Sequence, residues 1–160
     1  MSATAKFIGN ATRRGAASVE FALVLPLLLG LLFGIVELGF LFKDQLSIQQ
    51  AAREGARTAA VGRLRSEVNN RIANSVPTLT SANLTYDVMY RTFNGSSWSG
   101  YVTVGDSADG TRNDAPQGAQ IRVRTNYVHQ FATGSLFARM IGQPGATTMT
   151  LHAEMVMRRE

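Results

Sequence analysis

The sequence predicts an α+β chain, in which a long N-terminal helix, first transmembrane and then amphipathic, precedes a small antiparallel β-sheet domain. Three patterns carry this reading. Phe21 to Phe42 is an apolar run interrupted by one ionisable residue, Ile48 to Ile72 places an apolar residue at every fourth position, and beyond Leu84 the period shortens to two. The implied segments are a basic leader at 1–15, a transmembrane helix at 16–42, an amphipathic helix leaving the bilayer at 43–76, and an antiparallel β domain at 77–160. The 118 residues beyond the run leave room for one small domain.

The run FALVLPLLLGLLFGIVELGFLF has 22 residues and a single ionisable side chain, Glu37. At about 1.5 Å per residue it matches a hydrocarbon core of roughly 30 Å with some tilt. A cleavable secretory signal has a shorter apolar region followed by a small-residue cleavage site, whereas KDQLSIQQ follows here. Orientation by charge is a near tie, with Lys6, Arg13 and Arg14 before the run and Lys43, Arg53 and Arg57 after it. Position breaks the tie. Arg13 and Arg14 lie close to the helix start, and a long tail translocates largely regardless of its charge. The N-terminus is therefore expected in the cytoplasm and the C-terminal domain on the far side.

The formal charge of +5 does not signal nucleic acid. Three of the sixteen cations lie in the acid-free leader, and without it the balance falls to +2, with no basic stripe interleaved with aromatics. The absence of cysteine excludes disulfides and thiolate metal sites and leaves both redox compartments open.

Across the junction the sequence reads Arg13-Arg14-Gly15-Ala16-Ala17-Ser18-Val19-Glu20-Phe21. A basic leader ending in Gly, four small or neutral residues, Glu, an aromatic and then a membrane helix resemble the type IV prepilin signals of the Flp, or tight-adherence, branch. From Arg13 to Arg57 the chain is similar to the TadE-like segment of minor pilins, or pseudopilins, of that system. The specific parts are the Arg-Gly-x-x-x-Val-Glu-Phe start, Pro26, Glu37 and the Ala-Ala-Arg-Glu-Gly-Ala-Arg block at 51–57.

The resemblance implies cleavage by a prepilin peptidase between Gly15 and Ala16, with Glu20 and Phe21 serving peptidase recognition or subunit registration. It further implies a bacterial inner-membrane location, a periplasmic domain with pilin-like α+β organisation, and partners among other pilin subunits and the pilus assembly platform. Incorporation into the pilus is left open. Major Flp pilins usually carry Glu-Tyr and are much shorter; Glu-Phe and a sizeable domain favour a minor component here. The alternative is an uncleaved single-pass anchor for a periplasmic binding or scaffold domain.

Two readings of Glu20 stand on physical grounds. Its carboxylate can pair with the amine freed at Ala16, on its own or a neighbouring subunit, or sit in the head groups as a first-turn glutamate favoured by the helix dipole. Gly30, Gly34 and Glu37 are spaced by four and three on one helix face, with Pro26 further up it, a pattern that suggests a surface for transmembrane packing against a partner. The other reading has Glu37 reaching the interface unaided. Pro26 removes one backbone donor and is expected to bend the helix.

Beyond the bilayer, Gly55 and Gly62 weaken the amphipathic pattern, Gly62 is a place for a bend or break, and Pro77 ends it. The alanine-rich face at 52–60 suits either its own domain or a partner. LTYDVMYRTF and SWSGYVTV flank Asn94-Gly95 as a hairpin. A polar loop at 105–118, a strand at 119–131, a short helix at Ser135 to Met140 and a last strand at 148–159 follow.

No catalytic constellation or cofactor motif is present, so the chain is expected not to be an enzyme. Asp106, Asp109 and Asp114 lack EF-hand spacing, His129 and His152 sit in separate strands, and Trp98, Tyr86, Tyr90 and Tyr101 read as sheet packing. No metal site is assigned.

Overall fold

The computed structural model describes the backbone of residues 11–160 and the side chains from residue 15 onward; the leader reading at Lys6, Arg13 and Arg14 falls outside the described side chains. The chain runs α1 (Ala11–Ala60), α2 (Arg65–Asn74), a 3-10 turn at Ser81–Asn83, β1 (Leu84–Arg91), β2 (Val102–Thr103), β3 (Gln120–Gln130), α3 (Ser135–Met140) and β4 (Thr148–Arg158). The fold is α+β, a long apolar helix followed by a small four-stranded antiparallel sheet.

Leucine-rich, straight-chain composition favours helix throughout α1, whose 50 residues extend about 75 Å at 1.5 Å each. Pro26 stays inside the helix without ending it. The end of α1 is sharply set. Gly62 takes φ +93°, its N–H bonds the carbonyl of Ala59 at 3.0 Å, and the Arg63 N–H bonds that of Thr58 at 3.3 Å. This pair of bonds is a Schellman cap, which only a residue at ease with positive φ completes. The amphipathic pattern from Ile48 to Ile72 is therefore two helices, with α2 folded back so that Val68 and Ile72 bury against α1.

The sheet order is β2-β1-β3-β4 with every pair antiparallel. Val88 opposes Val123, which in turn opposes Met155. One sheet face receives the lower half of α1, where Ile48, Ala51, Ala52, Ala56 and Ala59 are buried against Ile121, Val123 and Ala153. The alanine stripe thus covers its own domain. Gly55 has a reason to lack a side chain. A Cβ there would lie 2.5 Å from Cγ1 of Ile72, so its absence lets α2 cross close to α1.

The hairpin around Asn94-Gly95 is less regular than its sequence suggests. The Asn94 N–H bonds the Ser97 carbonyl at 3.1 Å, and the Asn94 side-chain oxygen accepts from the N–H groups of Ser96 and Ser97, making a longer turn. Phe93 bridges Trp98, whereas Tyr90 pairs with Val102, so Ser99 to Tyr101 face only Arg91 and Thr92. The extra residue is a bulge, and the Ser99 hydroxyl accepts from the Thr92 N–H in place of regular pairing. The return strand expected over residues 97–104 shrinks to Val102–Thr103.

Candidate functional site

The most unusual cluster lies where the sheet meets the apolar half of α1. Glu37 and Asp44 are seven residues apart, two turns on one helix face, in line with Ile48 below. The inward side chains of β3 alternate as Ile121, Val123, Thr125, Tyr127 and His129, all buried. His129 therefore points at the two carboxylates. Its Nδ1 is 2.7 Å from Asp44 Oδ2 and its Nε2 is 3.3 Å from Glu37 Oε1. Glu37, fully buried, also accepts the N–H of Ala132 and of Thr133, each at 3.0 Å, and the Thr133 hydroxyl at 2.9 Å.

Each Glu37 oxygen thus has two donors, the condition under which a carboxylate tolerates burial. Carboxylate oxygens lie against both ring nitrogens, so His129 bridges the two acids of α1. The hydrogen bonds tie the start of the β3–α3 turn to α1. The arrangement acts as a clasp.

The other predicted site residues divide into two sets. Gly30 and Gly34 lie beneath α3, with Cε of Met140 4.0 Å from where a Cβ would stand on either glycine. Residues of the same chain thus occupy the face around Glu37 on which a partner was expected, and Glu37 does not reach the surface unaided. Gly15, Ala16, Glu20, Phe21 and Pro26 lie on the exposed part of α1, with Ala16 and Glu20 one turn apart on one face. From Phe21 to Leu29 the large apolar side chains are exposed.

The loop aspartates serve the backbone. Asp106 accepts the N–H of Arg65 at 2.7 Å, capping α2 from a distance, and Asp114 accepts that of Gly105 at 2.8 Å. The Ser107 hydroxyl and the Thr111 N–H bond Asp109 and hold its carboxyl down at about 2. The three do not converge, and among the described residues no group of three or more His, Cys, Asp or Glu is arranged to hold a metal. The Arg91 guanidinium lies over the rings of both Trp98 and Tyr101, 4.8 Å from each centroid, and Arg122 lies 3.6 Å over Tyr101. Tyr86 and Tyr90 pack against the core.

A second buried polar network closes the opposite end of the domain. The Asn113 amide donates to the carbonyls of Ala59 and Arg63, each at 2.9 Å, and its oxygen accepts from Arg159. Arg159 is itself buried, and its guanidinium packs directly on Gly62. A cation is thereby placed at the C-terminal, negative end of the α1 dipole.

Sequence reasoning passes over Asp44 and Thr133 and weighs His129 only as a metal ligand, without its carboxylate partners. The signal was present: His129 falls on the inward parity of its strand, and Glu37 and Asp44 share the inward stripe of the helix. What periodicity lacks is the register that sets one against the other.

Among the described residues one helix, Gly15–Ala60, is long and apolar enough to cross a membrane, which fits a single-pass membrane protein. Residues 15–57 match the family described as TadE-like protein, as the resemblance anticipated. No curated protein and no solved structure matches the chain significantly.

Proposed function

Since residues 15–57 are TadE-like, we propose that this chain is a minor pilin, or pseudopilin, used in assembling a tight-adherence pilus for surface attachment. In this reading the leader faces the cytoplasm of a bacterial inner membrane, a prepilin peptidase cuts after Gly15, and the domain sits in the periplasm. The observation that carries it is the division of α1. Its lower half is buried in the chain's own domain, whereas Phe21 to Leu29 expose a continuous apolar surface preceded by Glu20. Such a surface suits lipid first and neighbouring subunit helices afterwards. An amine at Ala16 would lie one turn from Glu20 and supply the carboxylate with a partner.

The continuity of α1 across Gly15 and Ala16 supports a second reading, an uncleaved anchor carrying a periplasmic binding or scaffold domain, because a peptidase must unwind that turn. Intact mass and N-terminal sequencing of membrane-extracted protein, from cells with and without the peptidase and with Gly15→Trp, separate the two. A peptidase-dependent product starting at Ala16 is expected. Retention of residues 1–15 in all three samples would leave the anchor.

A further inference from the structure

The short helix α3 has two unlike faces. Phe137 and Ala138 bury against Phe131 and Leu41, while Leu136, Met140 and the following Ile141 are 49%, 56% and 46% exposed. An exposed apolar trio on a small domain calls for a cover, and its place on the molecule identifies one. Met140 lies against Gly30 and Gly34, so α3 sits beside the apolar run of α1. A hydrocarbon core of about 30 Å takes roughly 20 helical residues. Counted from Ala16 they end at Ile35, and counted from Phe21 they end at Phe40. On either count Gly30 and Gly34 lie on the lipid side of the far boundary, and Met140 lies with them.

The chemistry of the surrounding chain agrees. From Phe131 to Ala153 there is no acidic residue, and the sole Lys or Arg is Arg139, on α3 itself and exposed. The loop after α3, Gly142-Gln143-Pro144-Gly145, is uncharged. Apolar side chains flanked by one cation and no anion match the boundary between acyl chains and phosphates. The Glu37 clasp fixes the depth, because it ties the turn immediately before α3 to α1.

We infer that α3 and Ile141 form a membrane foot: Leu136, Met140 and Ile141 insert into the outer-facing leaflet, and Arg139 meets lipid phosphate. The foot holds the domain at a fixed height and tilt on the bilayer. This rests on α1 spanning a membrane and is independent of processing at Gly15.

The chain has no cysteine, so single-cysteine labelling of the full-length protein is direct. Leu136→Cys, Met140→Cys and Ile141→Cys carry a fluorophore in nanodiscs of phosphatidylcholine and phosphatidylglycerol, with Leu29→Cys marking the helix and Ser96→Cys the far hairpin. Doxyl-labelled phosphatidylcholine is expected to quench the three foot labels several-fold more than the Ser96 label, approaching quenching at Leu29. Foot labels quenched no more than Ser96 while Leu29 is quenched would overturn the foot and leave the span intact. Absence of quenching at Leu29 as well would overturn both. Weak quenching together with disulfide crosslinking between Met140→Cys copies would assign the face to a second copy of the chain and equally overturn the proposal.

Discussion

Glu37 and His129, 92 residues apart in the chain, meet at 3.3 Å in a position closed to solvent, the carboxylate on the apolar half of α1 and the ring at the end of β3. An acidic side chain inside a membrane run draws attention to another subunit, yet here its four donors all come from its own chain. The clasp extends the contact between α1 and the sheet beyond the Ile48–Ala59 core into the apolar half of the helix.

Removing one partner of a buried hydrogen-bonded pair leaves the other unsatisfied, at a cost of about 1–3 kcal/mol and more where that group is charged. His129→Ala is expected to lose that much, read as a lower melting temperature of the detergent-solubilised chain and as faster hydrogen exchange at Ala132 and Thr133. In a double-mutant cycle with Glu37→Gln the losses should fall well short of additive. Additive losses would show that the two groups do not act on each other.

Gly55 supports the crossing of α1 and α2 by having no side chain. In Gly55→Ala the new methyl meets Ile72 Cγ1 at 2.5 Å and Cδ1 at 2.7 Å, so overpacking of about 1–3 kcal/mol is expected despite alanine's better helix propensity. Ile72→Ala in the same chain removes the obstruction, and the double variant should be more stable than the sum of the single losses. A Gly55→Ala chain as stable as the wild type would contradict the close crossing.

How much of this was legible beforehand depends on whether a feature is local. The apolar run, the change of period at Leu84, the short helix at Ser135–Met140 and the break at Gly62 are written in neighbouring residues, and the structure places each where the sequence puts it. The bulge at Ser99 to Tyr101 had only one local signal, Gly100 inside a strand pattern, and the slip itself emerges only in the pairing of two strands. The clasp was half visible: parity marks His129 as inward, but only the sheet order and the packing of α1 set it opposite Glu37. Gly55 likewise reads as a flaw in a helix until α2 is laid across it.

The network at the end of α1 predicts a second point of fragility. Asn113 satisfies two carbonyls of the α1 terminus and orients Arg159, whose burial, with Arg112 nearby, pulls its guanidinium below the ordinary value. Asn113→Ala strands those groups without solvent, and a loss of about 2–3 kcal/mol is expected, visible in thermal unfolding. Gly62→Ala should also destabilise, through positive φ and contact with Arg159, while Gly100→Ala should not, since nothing lies near a Cβ there.

Acid should act on the 105–118 loop in a defined window. The Ser107 hydroxyl and the Thr111 N–H lower the Asp109 carboxyl from 3.8 to about 2, so the ionised form is favoured in the folded loop. The stabilisation is fully present above 3.8 and is lost as pH falls through about 2. Carbon-13 titration of Asp109 should give a midpoint clearly below that of a free aspartate, and Ser107→Ala should raise it. A midpoint unchanged by Ser107→Ala would remove the hydroxyl as the cause.

The two carboxylates of α1 should separate stability from assembly. Glu20 is exposed on the uncovered part of the helix, more than two turns before Gly30, which lies against Met140 of α3. Glu20→Ala is therefore expected to leave the melting temperature of the domain unchanged within about 0.5 kcal/mol, as surface substitutions do. The same change should reduce cleavage after Gly15 or recovery with sheared filaments, because it removes the only charge available to pair with an amine at Ala16 from the first turn. Glu37→Ala should show the converse, a destabilised domain in a chain whose processing site is intact. If Glu20→Ala chains are processed and recovered like the wild type, the carboxylate is a head-group glutamate, and registration of subunits must come from the apolar surface between Phe21 and Leu29.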